Sequence, residues 1–249
     1  MSSKSKSKFS SDLRFAVVCS SNMNRSMEAH GTLSKKGFNV DSYGTGEKVK
    51  LPGPSADRPN VYDFGISYEE IHSDLRKKDK TLYTQNGILN MLDRNRRIKY
   101  GPQRLQETPE KYDLIITAEE RVYDQVMEHF ENSGNRDYQP CHVINIDIQD
   151  NPEEATIGAI MMLRLAEILT SSSDLDNDID ELLQEFEVRN NRPILHTVVF
   201  HVKDEKEETS SNTTIIVVVI ALFLIILIAL AAFLYKRKYS QVPQTDPAK

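Results

Sequence analysis

Cys19 and Arg25 stand six positions apart, with Ser26 directly after the arginine. A cysteine, a short run of small polar residues and an arginine are suited to holding one anion. The intervening segment, Ser20-Ser21-Asn22-Met23-Asn24, is short enough to curl so that successive backbone N–H groups face a single point. Arg25 then closes the cup with a bidentate guanidinium grip on phosphate oxygens. Cys19 would lie at its base, where an electropositive helix N-terminus favours the thiolate, the nucleophilic form of the side chain. Ser26 can donate its hydroxyl to that sulfur. The chemistry such a cup supports is attack of sulfur on a bound phosphoryl group.

A bare C-x5-R spacing is a weak signal, and a buried cysteine at a strand end is its ordinary alternative. The flanking elements decide in favour of the cup. Arg14-Phe15-Ala16-Val17-Val18 is an apolar run that predicts a strand ending at Cys19. Ser26 to Gly37 predicts a helix stopped by Gly37. A strand leading in and a helix N-terminus leading out is the layout of a phosphate-binding loop.

Downstream, Phe38 to Tyr43 alternates as a second strand. Gly44-Thr45-Gly46 reads as a turn, since a dinucleotide fingerprint would need a third glycine. Leu51-Pro52-Gly53-Pro54 predicts a rigid loop. Tyr68 to Arg97 reads as two charged amphipathic helices that could wall a substrate groove. Tyr112 to Thr117 and His142 to Asp147 are apolar runs typical of strands covered on both faces, with a helix over 119–131 between them. Ala155 to Leu169 predicts another helix. Asp174 to Glu185 imitates a calcium loop, but Ile179 occupies the glycine position and the apolar spacing is helical. Ile194 to Val202 predicts a last, edge strand, with His196 and His201 on opposite faces.

Strands alternating with helices imply an α/β fold, three layers α/β/α around a mainly parallel sheet. Ligands in such sheets bind beyond the C-terminal strand ends, where Cys19 falls. Asp150 leaves the same edge in Asp147-Ile148-Gln149-Asp150-Asn151-Pro152. It is the candidate general acid, its alternative being a helix N-cap; Asp147 is the reserve, more structural in character.

The net charge of −6 argues against direct nucleic-acid binding, and the two cysteines, Cys19 and Cys141, read as free thiols of a reducing compartment. No metal-ligand spacing is present, so neither metal nor cofactor is expected. Residues 1–13 form a basic tail with no signal-peptide pattern. Residues 203–214 read as a polar linker containing the weak sequon Asn212-Thr213-Thr214, and 236–249 as a short basic tail. Between them, 215–235 is apolar and predicts a C-terminal single transmembrane helix with possible membrane association. The basic flank after it favours a cytosolic C-terminus, which conflicts with a thiolate domain lacking any export signal.

The chain resembles the RNA polymerase II C-terminal-domain phosphatases that work with the cleavage and polyadenylation machinery. The likeness covers 14–201. It rests on Val17-Val18-Cys19-Ser20-Ser21-Asn22, Asn24-Arg25-Ser26-Met27-Glu28-Ala29-His30, Lys50-Leu51-Pro52-Gly53-Pro54, Tyr83-Thr84-Gln85-Asn86-Gly87-Ile88-Leu89, Glu120-Arg121-Val122-Tyr123-Asp124-Gln125 and Asp147-Ile148-Gln149-Asp150. The resemblance implies a low-molecular-weight tyrosine phosphatase-like fold over 14–202. It implies catalysis by Cys19, Arg25 and Asp150, and phosphate contacts from Ser20, Ser21, Asn22, Met23, Asn24 and Ser26. Leu51, Pro52, Tyr83 and Met91 would form the substrate groove.

By the same likeness the substrate is phosphoserine in the polymerase tail heptads, chiefly the fifth position, with the following proline in cis. The implied partners are the tail, a symplekin-type scaffold and a prolyl isomerase, and the implied location is the nucleus. Low-molecular-weight phosphatases usually carry a second loop cysteine where Asn24 stands, so their loop disulfide has no counterpart. Two rivals remain at this level: an arsenate reductase of the same fold, and a membrane-tethered phosphopeptide-binding module without catalysis.

Overall fold

The computed structural model describes residues 13–134, 136–202, 217 and 219–234, with 136–138 and 202 described by backbone alone. The basic tail before Leu13, the whole 203–214 linker with its sequon, and the C-terminal tail lie outside the described residues. The chain divides into two compact units between Val202 and Lys203.

In the first unit, five strands form one sheet: β1 (Arg14–Cys19), β2 (Asn39–Gly44), β5 (Leu114–Thr117), β6 (Arg136–Ile146) and β7 (Ile194–Val202). Their order is β2-β1-β5-β6-β7, parallel except for β7, which lies antiparallel at one edge. Period-2 alternation splits β1 between two cores. Phe15, Val17 and Cys19 face a core shared with α1 (Arg25–Lys36), α5 (Pro152–Leu169) and α6 (Leu175–Asn190). Ala16 and Val18 face the other, shared with α4 (Glu120–Asn132). The three layers follow directly. Gly37 ends α1 in the left-handed conformation at φ 95°, its N–H returned to the last turn, as the sequence suggested.

A third apolar cluster sits beside the sheet. The hairpin of β3 (Val49–Ser55) and β4 (Arg58–Tyr62) packs with α2 (Tyr68–Gln85) and α3 (Ile88–Asn95) around Met23 and Met27. Leu51-Pro52-Gly53-Pro54 is therefore strand, not loop. Gly53 permits this, because a Cβ there would stand 1.7 Å from the Arg58 carbonyl oxygen across the hairpin. The two-proline stretch survives in a two-stranded ribbon that leaves prolines an outward edge. Ser67 caps α2 with a reciprocal Glu70 capping box.

In the second unit, residues 219–234 are helical. The expected transmembrane helix is overturned: among the described residues, no helix is long and apolar enough to cross a membrane.

One buried group links this fold to pH. His30 of α1 shares a 2.9 Å hydrogen bond with Ser42 of β2. Burial, followed by the Lys99 charge, lowers its pKa to about 4, with Asp41 opposing. The unfolded chain therefore takes up this proton first, and stability falls as pH drops from about 6.5 towards 4. The expected loss is at most ~3 kcal/mol, measurable by denaturant titration at pH 7 and pH 4.5. His30→Gln should flatten that part of the profile.

Candidate active site

The loop between β1 and α1 owes its shape to contacts on all sides. Asn22 adopts φ 52°, a left-handed conformation that asparagine tolerates better than most residues. Its Oδ1 accepts from the Gln103 N–H at 3.0 Å. The carbonyls of Cys19 and Ser20 accept from the Thr45 and Gly46 N–H groups at 3.1 and 3.0 Å. The segment read only as a turn is thus the back wall of the loop. A Cβ on Gly44 would meet the Ser20 carbonyl oxygen at 2.8 Å and the Asn22 nitrogen at 3.0 Å, so this wall requires glycine.

Cys19 is nearly buried and lines a pocket of about 450 Å³. Its Sγ lies 3.1 Å from Ser26 Oγ. Asn22 Nδ2 donates to that same hydroxyl at 3.0 Å, which leaves the single serine proton free to point at the sulfur. Asn24 is the N-cap residue of α1 but makes no side-chain cap. It instead donates from Nδ2 to Asp150 Oδ1 at 3.0 Å. The first-turn amides of α1 are consequently left uncapped by their own side chain, the condition for anion binding at a helix N-terminus.

Arg25 is 4% exposed. Its Nη1 donates to the carbonyls of Ile148 at 2.8 Å and Ala118 at 3.3 Å, beyond the ends of β6 and β5. Nη2 meets Glu119 at 2.6 Å and Asp150 at 3.5 Å. Burial opposes its charge, but Cys19, Asp150 and Glu119 outweigh burial and hold its pKa above the ordinary arginine value. Its Nε has no partner among the described residues. A buried donor without an acceptor is costly, and an oxyanion held in the cup would satisfy it.

Asp150 is 58% exposed at the pocket mouth. The capping alternative does not apply to it: Asn151 caps α5, accepting from Glu154 N–H at 2.8 Å. Asp147 accepts from the Glu120 N–H at 3.0 Å and from Asn145 at 3.1 Å, a structural duty at the start of α4. Cys19 and Asp150 therefore line one cavity, and Arg25 meets Asp150 at 3.5 Å.

Ser21, Met23 and Asn24 of the loop also line this pocket, as do Leu51, Pro52 and Met91 of the expected groove. Ser21 Oγ accepts from the Lys50 N–H at 3.2 Å, tying loop to hairpin. Tyr83 does not line the pocket. It is buried behind the groove, where Asn60 Nδ2 donates both to its hydroxyl at 2.8 Å and to the Pro52 carbonyl at 2.9 Å. Lys50, Glu28 and Arg94 line the pocket without having been singled out from the sequence. As isolated charges on hairpin and helix they carried no local signal.

Residues 13–201 match the model of a family described as Ssu72-like protein. The chain belongs to that family. Among Ssu72-like relatives, a protein of Danio rerio named as the RNA polymerase II C-terminal domain phosphatase SSU72 is 59% identical over 189 residues, 76% of this chain and 97% of that protein. The Homo sapiens protein of the same name is 59% identical over 192 residues, covering 77% and 99%. The crystal structure of Drosophila melanogaster Ssu72 with symplekin and a cis peptidomimetic phospho-Ser5 peptide of the polymerase C-terminal domain aligns at a TM-score of 0.75. It is 59% identical and covers 77% of this chain and all of that one. A second Drosophila structure, described as the serine phosphatase of the RNA polymerase II C-terminal domain, aligns at 0.75 with 60% identity, covering 76% of this chain and all of its own.

Proposed function

We infer that this chain is a cysteine-dependent protein serine phosphatase acting on the phosphorylated heptads of the RNA polymerase II tail, in transcription termination and mRNA 3′-end processing. The observation that carries this reading is that Cys19 and Asp150 line one pocket, with Arg25 held 3.5 Å from Asp150, in a chain of the Ssu72-like family. Cys19 Sγ attacks phosphorus while Arg25 and the loop amides hold the non-bridging oxygens. The bond from phosphorus to the serine oxygen breaks, and that oxygen takes the proton of Asp150. Water then attacks the phosphocysteine, Asp150 accepts its proton, and the phosphorus–sulfur bond breaks to release inorganic phosphate. Ser26 donates to the departing thiolate.

The Drosophila relative's cis phospho-Ser5 peptide and symplekin support the same ligand geometry and scaffold for this chain. A cis Ser-Pro bond is a minor isomer of unfolded chains, roughly 10–30%, so supply by a prolyl isomerase would accelerate turnover, and the nucleus is the corresponding location. An arsenate reductase needs a relay thiol. Cys141 lies fully buried in the α4-side core, across the sheet from Cys19, and burial pushes its thiol up.

Phosphate release from a phospho-Ser5 heptad peptide tests the reading, with cis-locked and trans-locked versions compared. Hydrolysis of the cis form is expected; peptide binding without hydrolysis would establish a binding module instead. Asn60→Ala frees both Pro52 and Tyr83. It should raise KM for the peptide by about two- to tenfold and leave p-nitrophenyl phosphate turnover nearly unchanged.

A further inference from the structure

We propose that Tyr68, Arg94 and Asn95, on the two helices beside the sheet, are positioning residues that set the phosphate-binding loop in its anion-ready form; the inference rests on the phosphatase reading above. Three consecutive loop carbonyls are held from this side. Tyr68 Oη donates to the Asn22 carbonyl at 2.7 Å. Asn95 Nδ2 donates to the Met23 carbonyl at 2.7 Å, and Arg94 Nη2 to the same oxygen at 3.1 Å. Arg94 Nη2 also reaches the Asn24 carbonyl at 3.3 Å.

In a planar trans peptide the C=O of one residue and the N–H of the next point in opposite directions. Drawing the carbonyls of Asn22, Met23 and Asn24 towards α2 and α3 turns the N–H groups of Met23, Asn24 and Arg25 away from those helices. Thr45 and Gly46 treat the carbonyls of Cys19 and Ser20 in the same way from the end of β2, turning out the amides of Ser20 and Ser21. Five amides are thereby arranged by hydrogen bonds to the carbonyls that precede them.

Arg94 is itself fixed on three sides. Nη1 pairs with Glu28 in the first turn of α1, and Nε donates to Asn95 Oδ1 at 3.0 Å. A guanidinium can serve this many acceptors in fixed directions, whereas a lysine ammonium cannot. Burial lowers the Arg94 pKa, against the pull of Glu28, Tyr68 and Cys19. The cation thus contributes positive potential to the cup as well as shape.

The test uses the full chain and four readouts: melting temperature, inhibition by inorganic phosphate, the kcat and KM of a phosphopeptide, and the pH profile of Cys19 alkylation. Arg94→Ala should weaken phosphate inhibition and lower kcat/KM, the latter by about 30- to 100-fold. It should also move the alkylation profile to higher pH. Arg94→Lys should restore part of the alkylation profile but little of the phosphate affinity, since charge returns without the fork. Tyr68→Phe, which deletes one hydroxyl, should weaken phosphate inhibition about three- to tenfold. It decides the matter if Arg94→Ala fails to fold. Folded variants with wild-type phosphate inhibition and alkylation would overturn the assignment while leaving the phosphatase reading intact. A wild-type chain that binds no phosphate would overturn both.

Discussion

Cys19→Ser is expected to lower phosphoserine turnover by at least about 10⁴-fold while phosphopeptide binding stays within about threefold. A loss of that size corresponds to ~5 kcal/mol of transition-state stabilisation. The serine hydroxyl is a far poorer nucleophile than a thiolate and would need a base to activate it. The neighbouring hydroxyl, Ser26 Oγ at 3.1 Å from the present sulfur, is a donor rather than a base. Binding survives because Arg25 and the loop amides are untouched. Single-turnover kinetics with binding measured by calorimetry separate the two quantities. Residual turnover above a few per cent would mean that a different nucleophile performs the reaction.

Asp150→Asn is expected to slow phosphocysteine formation from phosphoserine peptide by about 10²- to 10³-fold, with a much smaller effect on its formation from p-nitrophenyl phosphate. Both are read in the pre-steady-state burst, because the two substrates share the later hydrolysis. A serine alkoxide needs a proton as it leaves, whereas nitrophenolate departs without one. Asparagine can still accept from Asn24 Nδ2, now 3.0 Å from Oδ1, so the local shape is retained. Equal losses on the two substrates would assign Asp150 a role in holding Arg25 instead. Its 3.5 Å approach to Nη2 makes that the specific competing explanation.

These experiments concern residues that the sequence singled out but could not bring together. The cup was legible because its parts are local. An apolar period-2 run, a loop of small polar residues and a helix stopped by Gly37 are each set by short-range sterics and hydrogen bonding. The buried parallel strands were legible for the same reason, as continuous apolar runs around Ile115 and Ile144. Tertiary docking alone made Leu51 to Pro54 a strand, because the pairing of Leu51 with Asn60 supplies what local proline chemistry disfavours. It also put Tyr83 behind the groove rather than in it. The apolar stretch after residue 214 shows the converse: its composition allowed a membrane span, but among the described residues no helix is long and apolar enough to make one.

From the order of residues alone came the candidate nucleophile, its arginine, the α/β class and the candidate acid just past β6. Only folding brought Asp150 to within a hydrogen bond of Asn24 across 126 positions. Only folding set Tyr68, Arg94 and Asn95 against the loop carbonyls. Those contacts join helices to a loop distant in sequence, and their register is chosen by the packing of Met23 and Met27 among the α2 and α3 side chains. No local pattern of residues encodes that choice, because the energy that selects it arises only once the two surfaces meet.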